Sequence, residues 1–258
     1  MNVKKYLERI NYQEKIVTDL PTLIGLQKAH LLSVPFENLD IHYGREILLD
    51  LNFFYDKIVD ENRGGFCYEL NGLFHWLLIK TGFKARMISA RVHTENGEYS
   101  REYDHMAIIV DLKGQEYLVD VGFGRFSIGA LPISFDCQLK DDHGIFTFEK
   151  HDEKYIRVSL MVEGVMVPQY IFEKKERKLV EFQEMCSYHQ TNPDSHFMKK
   201  KIVSLPTMNG RITLNDEMLK VTTGESVYET HFHTDKFNAF LLRYFGIEIG
   251  ENILVPEN

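Results

Sequence analysis

Apolar residues recur three and four positions apart up to about residue 83, and every second position from about 84 to 175. That change of period divides the chain before any motif is weighed. In the first region "VKKYLERI", "TDLPTLIGLQKAHLL", "FFYDKIVDEN" and the run from Cys67 to Lys80 each carry an apolar stripe. Asp19 or Thr18 is placed to cap the second of these, Pro21 sits near its first turn, and Gly82 stops the last. They predict a small helical bundle. The second region ("ARMISARVH", "HMAIIVDL", "EYLVDVGF", "IFTFEK", "YIRVSLMV") alternates between turn signals such as "ENG" and "KGQ", which predicts an antiparallel sheet closed as a barrel. Beyond it "KLVEFQEMCSYHQTNP" reads as a connecting helix, followed by strands around "KIVSLPTMNGRITLND" and a final helix in "DKFNAFLLRYFG". Helices, then sheet, then a mixture of both is α+β architecture.

Composition narrows the classes of function. With 258 residues, 44% of them hydrophobic, the chain can bury a sizeable core. Its net charge of −8 excludes a global basic field for nucleic acid or an anionic membrane, so a polyanionic ligand must find a local patch. The densest such cluster is "MKKKIV", whose lysines at 199 to 201 read as a solvated surface or as a phosphate contact. The N-terminal stretch has no apolar h-region, and no apolar run approaches the roughly 18 to 20 residues of a membrane span, so a cytoplasmic location is expected. Cys67, Cys137 and Cys186 are too widely spaced for a disulfide framework or a paired-cysteine zinc site.

Cys67 has two readings. Phe66, Leu70, Leu73, Phe74, Leu77 and Leu78 fall on one helical stripe behind Gly64 and Gly65, which puts Cys67 in or just before a first turn, close to free backbone N–H groups. It is either a small buried hydrophobe or a nucleophile. A helix terminus alone shifts a thiol by less than about one pKa unit, so the second reading needs a cationic partner.

The segment "DHMAIIVDLKGQEYLVDVGFG" supplies one. Two apolar strands flank Lys113-Gly114, a hairpin signal for a loop of two or four residues. A four-residue loop sets His105 directly opposite Asp120, and a two-residue loop makes the pair diagonal. In both registers the side chains share a face. Asp120 interrupts "YLVDVGF", where an unpaired buried carboxylate costs several kcal/mol. The pair is then either structural or, joined to Cys67, the base and orienter of a nucleophilic triad. Such a triad serves an acyl transferase, a papain-like or transglutaminase-like cysteine hydrolase, or, if inert, a mere coenzyme or aromatic-ligand binding module. A His105 cation held by Asp120 is expected to stabilise a Cys67 thiolate, with the Cys67 backbone N–H among the oxyanion donors.

Taken together, "VPFENLDIHYGREILLD" (34 to 50), "RGGFCYELN" (63 to 71), "HMAIIV" (105 to 110), "VDVGFG" (119 to 124) and "TNPDSHF…NGRITL" (191 to 214) stand in the order in which they occur in the arylamine N-acetyltransferases, a family this chain resembles over nearly its full length. The resemblance implies a helical bundle over 1–83 carrying Cys67, a β-barrel over 84–175 carrying His105 and Asp120, an interdomain helix over 176–192 and an α/β lid over 193–258. It implies acetyl-coenzyme A as donor, an aromatic amine, hydrazine or hydroxylamine as acceptor, and no metal. Phe36 and Phe123 resemble the family's aromatic wall around the thiol. Gly122 and Gly124 either let backbone approach the pantetheine arm or simply end a strand, and Phe197 resembles a coenzyme A contact. The loop after "VDVGFG" runs directly into "RFSIGALPI" without the insertion of vertebrate members. Glu37, Asn38 and Arg63 are expected to hydrogen-bond one another behind the Cys67 helix. His231 and His233 have strand spacing but no further ligand beside them, and read as ordinary surface or core histidines.

Overall fold

The computed structural model describes residues 1–249; the end of the segment read as a lid, 250–258, lies outside the described residues. The N-terminal part is helical, with α1 (Val3–Arg9), α2 (Leu20–Ser33), α3 (Leu39–His42), α4 (Leu51–Tyr55) and α5 (Cys67–Lys80). Asp19 caps α2 by accepting from Thr22 N at 2.9 Å, with Pro21 in the first turn. One wider turn, a π-helical segment at Asp56–Asp60, follows α4 directly. A two-residue strand, β1 (Phe36–Glu37), interrupts these helices.

The middle of the chain forms β2 (Lys84–Val92), β3 (His105–Leu112), β4 (Gln115–Val119), β5 (Leu131–Pro132), β6 (Leu139–Asp141), β7 (Gly144–Lys150), β8 (Ile156–Val162) and β9 (Val165–Phe172). They make one antiparallel sheet in the order β5-β4-β3-β2-β9-β8-β7-β6. Its two edges approach without a shared ladder: Asp141 in β6 accepts from the amides of Ile128 and Gly129, each at 3.0 Å, just before β5. The sheet is therefore barrel-like and nearly closed. Strand β3 is apolar on both faces because both are covered. Ile108 and Val110 pack with Leu70, Phe74 and Leu77 of α5, whereas Ala107 and Ile109 face the barrel interior with Phe146 and Phe172. His105 continues the interior-facing parity, at the mouth of the barrel.

After β9 come α6 (Gln183–Thr191), α7 (His196–Lys199), β10 (Ile202–Thr207), β11 (Gly210–Asn215), β12 (Met218–Thr223), β13 (Ser226–His231) and α8 (Phe237–Phe245). The second sheet runs β1-β10-β11-β12-β13, so the strand between α2 and α3 is its edge, and the N-terminal helices and C-terminal part are interleaved. Phe36 stands opposite Ser204. Two of these strands, β12 and β13, go beyond the sequence-based expectation. Among the described residues no helix is long and apolar enough to cross a membrane.

Candidate active site

The β3–β4 hairpin uses the two-residue loop. Leu112 pairs with Gln115, and Lys113 and Gly114 both have positive φ, as a type I′ turn requires. Asp120 lies just past the end of β4, diagonal to His105 on the same face. His105 Nε2 meets Asp120 Oδ2 at 2.7 Å, with both side chains buried.

Asp120 accepts from four other donors. Tyr170 OH reaches Oδ2 at 3.1 Å; Asn71 Nδ2 and the amides of Gly122 and Phe123 reach Oδ1 at 2.9, 2.9 and 3.1 Å. Burial pushes this carboxyl up, but the His105 charge and hydrogen bond, with those of Asn71 and Gly122, outweigh it and hold the pKa below its ordinary value. The acid is therefore ionised at neutral pH and fixes the imidazole with its Nε2 toward the carboxylate, leaving Nδ1 for other work.

Cys67 is the first residue of α5 and is buried. Its helix is tied to the hairpin by Asn71, one turn on. Asn71 Nδ2 also donates to Met106 O at 2.7 Å, and its Oδ1 accepts from Val121 N at 3.0 Å. The amide of Met106, the residue after His105, acts on the thiol in the direction that lowers its pKa. Gly122 closes the other side: a Cβ there would lie 2.7 Å from Cys67 Cα and 2.7 Å from Asn71 Nδ2. A residue without a side chain is what allows the loop after Asp120 to touch the Cys67 helix. Burial pushes the Cys67 thiol well up, the Met106 hydrogen bond opposes this, and the charges of Asp104 and Asp120 add to the rise. Burial therefore works against the thiolate that a His105 cation is expected to stabilise. Glu69 accepts from the amide of Phe66, the residue before α5, and no side chain takes the amide of Cys67 itself.

Behind α5 lies a buried ionic cluster. Arg63 bonds Glu37 Oε1 at 3.0 and 2.7 Å and Asp40 at 2.7 Å, as far as Glu37 and Arg63 are concerned the arrangement expected. Asn38 is not part of it. Its side chain bonds Phe197 O, Lys200 O and Ile202 N instead, and so holds the segment between α6 and β10. Lys57, from the π-helical turn, completes the cluster at 2.8 Å from Asp40 and 2.9 Å from Glu69, and Glu69 accepts from Phe66 N at the start of α5. Burial, only partly offset by Lys57, pushes Glu69 up to about 7. Gly64 is required for this packing, because a Cβ would stand 2.0 Å from Pro35 O.

The aromatic residues divide into two groups. Phe123 is half-buried with its ring 5.1 Å from that of His105. Phe36 packs against the cluster that contains Cys67, and its ring is 6.0 Å from Phe197, which in turn lies 6.0 Å from Phe66 and 5.0 Å from His189 of α6. Gly122 and Gly124 separate: Gly122 is buried against Cys67, while Gly124 is exposed with open space where a Cβ would be. His231 and His233 are both exposed, as is Cys137, while Cys186 is buried. The sequence reading missed Asn71, Tyr170, Asp40, Lys57 and Glu69. Only Asn71 and Glu69 left a local signal, as polar residues within an otherwise apolar helix.

The N-acetyltransferase family profile matches residues 19–254. Arylamine N-acetyltransferase 1 of Homo sapiens is 32% identical over 230 residues, covering 81% of this chain and 79% of the human one. The liver isozyme of arylamine N-acetyltransferase from Gallus gallus is 31% identical, covering 100% of this chain and 99% of its own. Among solved structures, arylamine N-acetyltransferase of Mycobacterium smegmatis superposes with a TM-score of 0.89 at 28% identity, covering 97% of this chain and 94% of that one. With a profile match over most of its length and relatives above 30% identity, the chain belongs to the arylamine N-acetyltransferase family.

Proposed function

We propose that this acyltransferase moves an acetyl group from acetyl-coenzyme A to the nitrogen of an arylamine, arylhydrazine or arylhydroxylamine, in two half-reactions through an acetyl thioester on Cys67. The observation that supports the reading is His105 held by a five-fold bonded Asp120 at the barrel mouth, with Asn71 and Gly122 tying that carboxylate to the start of the Cys67 helix. In the first half-reaction the Cys67 sulfur attacks the thioester carbonyl as its proton passes to His105 Nδ1. The carbon–sulfur bond to coenzyme A breaks, and the departing sulfur takes that proton. One thioester replaces another, so the step is close to isoenergetic. In the second, the amine attacks, His105 accepts its proton, and Cys67 leaves and recovers a proton as the amide forms. Burial disfavours a free Cys67 thiolate, which supports proton transfer coupled to attack. The leading amides of α5, that of Cys67 first, are the proposed oxyanion donors. Phe123 beside His105 and Phe36 beside Cys67 offer apolar faces for the acceptor ring.

The test is incubation with acetyl-coenzyme A alone, followed by intact mass and peptide mapping. One acetyl group is expected on Cys67, discharged faster by an arylamine than by water. Acetyl on Cys137, turnover by Cys67→Ala, or discharge by water as fast as by any amine overturns the reading, the last in favour of a cysteine hydrolase.

A further inference from the structure

A cavity of about 750 Å³ lies beside the loop that follows Asp120, in the size range of small-molecule sites. Arg125 from that loop and Arg211 from β11 both line it. Arg211 Nη2 donates to Gly124 O at 2.6 Å and Nη1 to Ser204 Oγ at 2.8 Å. Since Ser204 stands opposite Phe36, the Arg211 guanidinium marks where the cavity meets the rim of the candidate active site. Among the described residues neither arginine pairs with a carboxylate. Asp142 also lines the cavity, but its carboxylate lies 3.4 Å from Lys28. Burial first, and the charge of Arg125 second, pull the Arg211 pKa down to about 10. Asn209, Thr222 and Thr223 add neutral hydrogen-bonding groups to the wall. In a chain of net charge −8 this is a local exception. The lysine run at 199–201 is a weaker candidate, because Lys201 is matched by Asp216 at 3.2 Å.

We propose that Arg125 and Arg211 form an anion subsite for the phosphates of the acetyl donor, with the intervening chain of the donor passing over the open face of Gly124. This rests on the reading of acetyl-coenzyme A as donor. A guanidinium presents a planar fork of N–H donors suited to phosphate, and two of them at one cavity suit a ligand with more than one phosphate. Gly124 carries the connection: its carbonyl anchors Arg211 while its other side faces open space.

The experiment compares KM for acetyl-coenzyme A, its 3′-dephospho form and S-acetyl-pantetheine, with one uncharged arylamine as acceptor, in wild type, Arg125→Gln, Arg211→Gln and the double variant. The wild type is expected to prefer acetyl-coenzyme A over S-acetyl-pantetheine, with a preference that shrinks as salt rises. Each substitution is expected to cut that preference, by about tenfold at Arg211 and less at the exposed Arg125, and the double variant to lose most of it. Arg211→Lys, which keeps the charge, should recover part of it, and thermal melting identifies any variant that has lost its fold. A preference unchanged in the soluble double variant overturns the proposal, as does a loss equal for phosphorylated and phosphate-free donors. If KM rises instead for a carboxylated acceptor such as an aminobenzoate, the arginines serve the acceptor and the proposal fails. Failure of S-acetyl-pantetheine and acetyl-coenzyme A alike to acetylate wild-type Cys67 would be a different result, defeating the donor reading itself.

Discussion

Replacing Asp120 with asparagine removes one charge from a pocket of five donors, and the geometry dictates how the amide must sit. The carboxylate presents Oδ2 to His105 and Tyr170, and Oδ1 to Asn71 and the amides of Gly122 and Phe123. An asparagine has one oxygen to offer. If its NH2 faces the Oδ1 side, it meets three N–H donors that cannot adapt. Facing the other side, it meets a hydroxyl that can rotate and an imidazole that can change tautomer, which costs less. His105 then accepts at Nε2 and carries its proton on Nδ1, the nitrogen proposed as base. Trapping the wrong tautomer lowers the rate of such triads by about 10⁴-fold, while a lost charge-assisted hydrogen bond costs about 1.5–3 kcal/mol of stability. The burst of thiol released on mixing with acetyl-coenzyme A reports the acetylation rate, and melting reports the fold. The sign with pH is fixed by the depressed carboxyl: its stabilisation is complete above the ordinary carboxylate range and is lost as pH falls through the lowered value. The melting gap between wild type and Asp120→Asn should thus be widest above about pH 5 and narrow in stronger acid. Acetylation within tenfold of wild type by a variant of normal stability would refute the reasoning. A gap independent of pH would refute the charge argument alone.

Four further outcomes can be checked. Gly122→Ala sets a Cβ 2.7 Å from Cys67 Cα and should cost about 1–3 kcal/mol, with acetylation falling further than melting explains; a variant that matches wild type in both would show that the contact yields freely. Alkylation of Cys67 by iodoacetamide should keep rising with pH beyond about pH 9, since burial pushes the thiol up, and a plateau near pH 6 would restore the preformed ion pair. Glu69→Gln should gain in melting temperature on wild type as pH rises from about 5 to about 8, because a carboxyl raised to about 7 contributes stability that is lost as it ionises; parallel curves would remove that titration. Phe123→Ser should raise KM for the arylamine and shorten the life of acetyl-enzyme in buffer while leaving its formation nearly as fast, and a slower first half-reaction would mean that Phe123 positions His105 instead.

What the sequence discloses follows the distance over which each feature is determined. The stripe from Phe66 to Leu78 and the alternation around Lys113-Gly114 are local patterns, and both became the elements they predict. The pairing of His105 with Asp120 was legible because either short loop puts the two on one face. Strands β12 and β13 were legible too: "MLKVTT" and "SVYETH" alternate about Gly224, which has φ +58 in the turn, yet the period there went unused. Asn71 is a different case. Its three bonds reach Met106, Asp120 and Val121, 35 to 50 positions away, and nothing near "CYELNG" says that an amide in an apolar helix will bridge both strands of a hairpin. Lys57 was hidden for a related reason: it stands three positions after buried Phe54, but its partners Asp40 and Glu69 belong to two other helices. The upward shift of the Cys67 thiol likewise comes from environment rather than from identity. The residue types imply an attraction between His105 and Cys67, but the depth at which α5 starts, against Gly122, sets the desolvation that opposes ionisation of the sulfur. Depth is the sum of contacts from α5, β3 and the loop after Asp120, so the upward shift of Cys67 is a property of the assembled fold, and shallower placement of the same motif would leave the thiol easier to ionise.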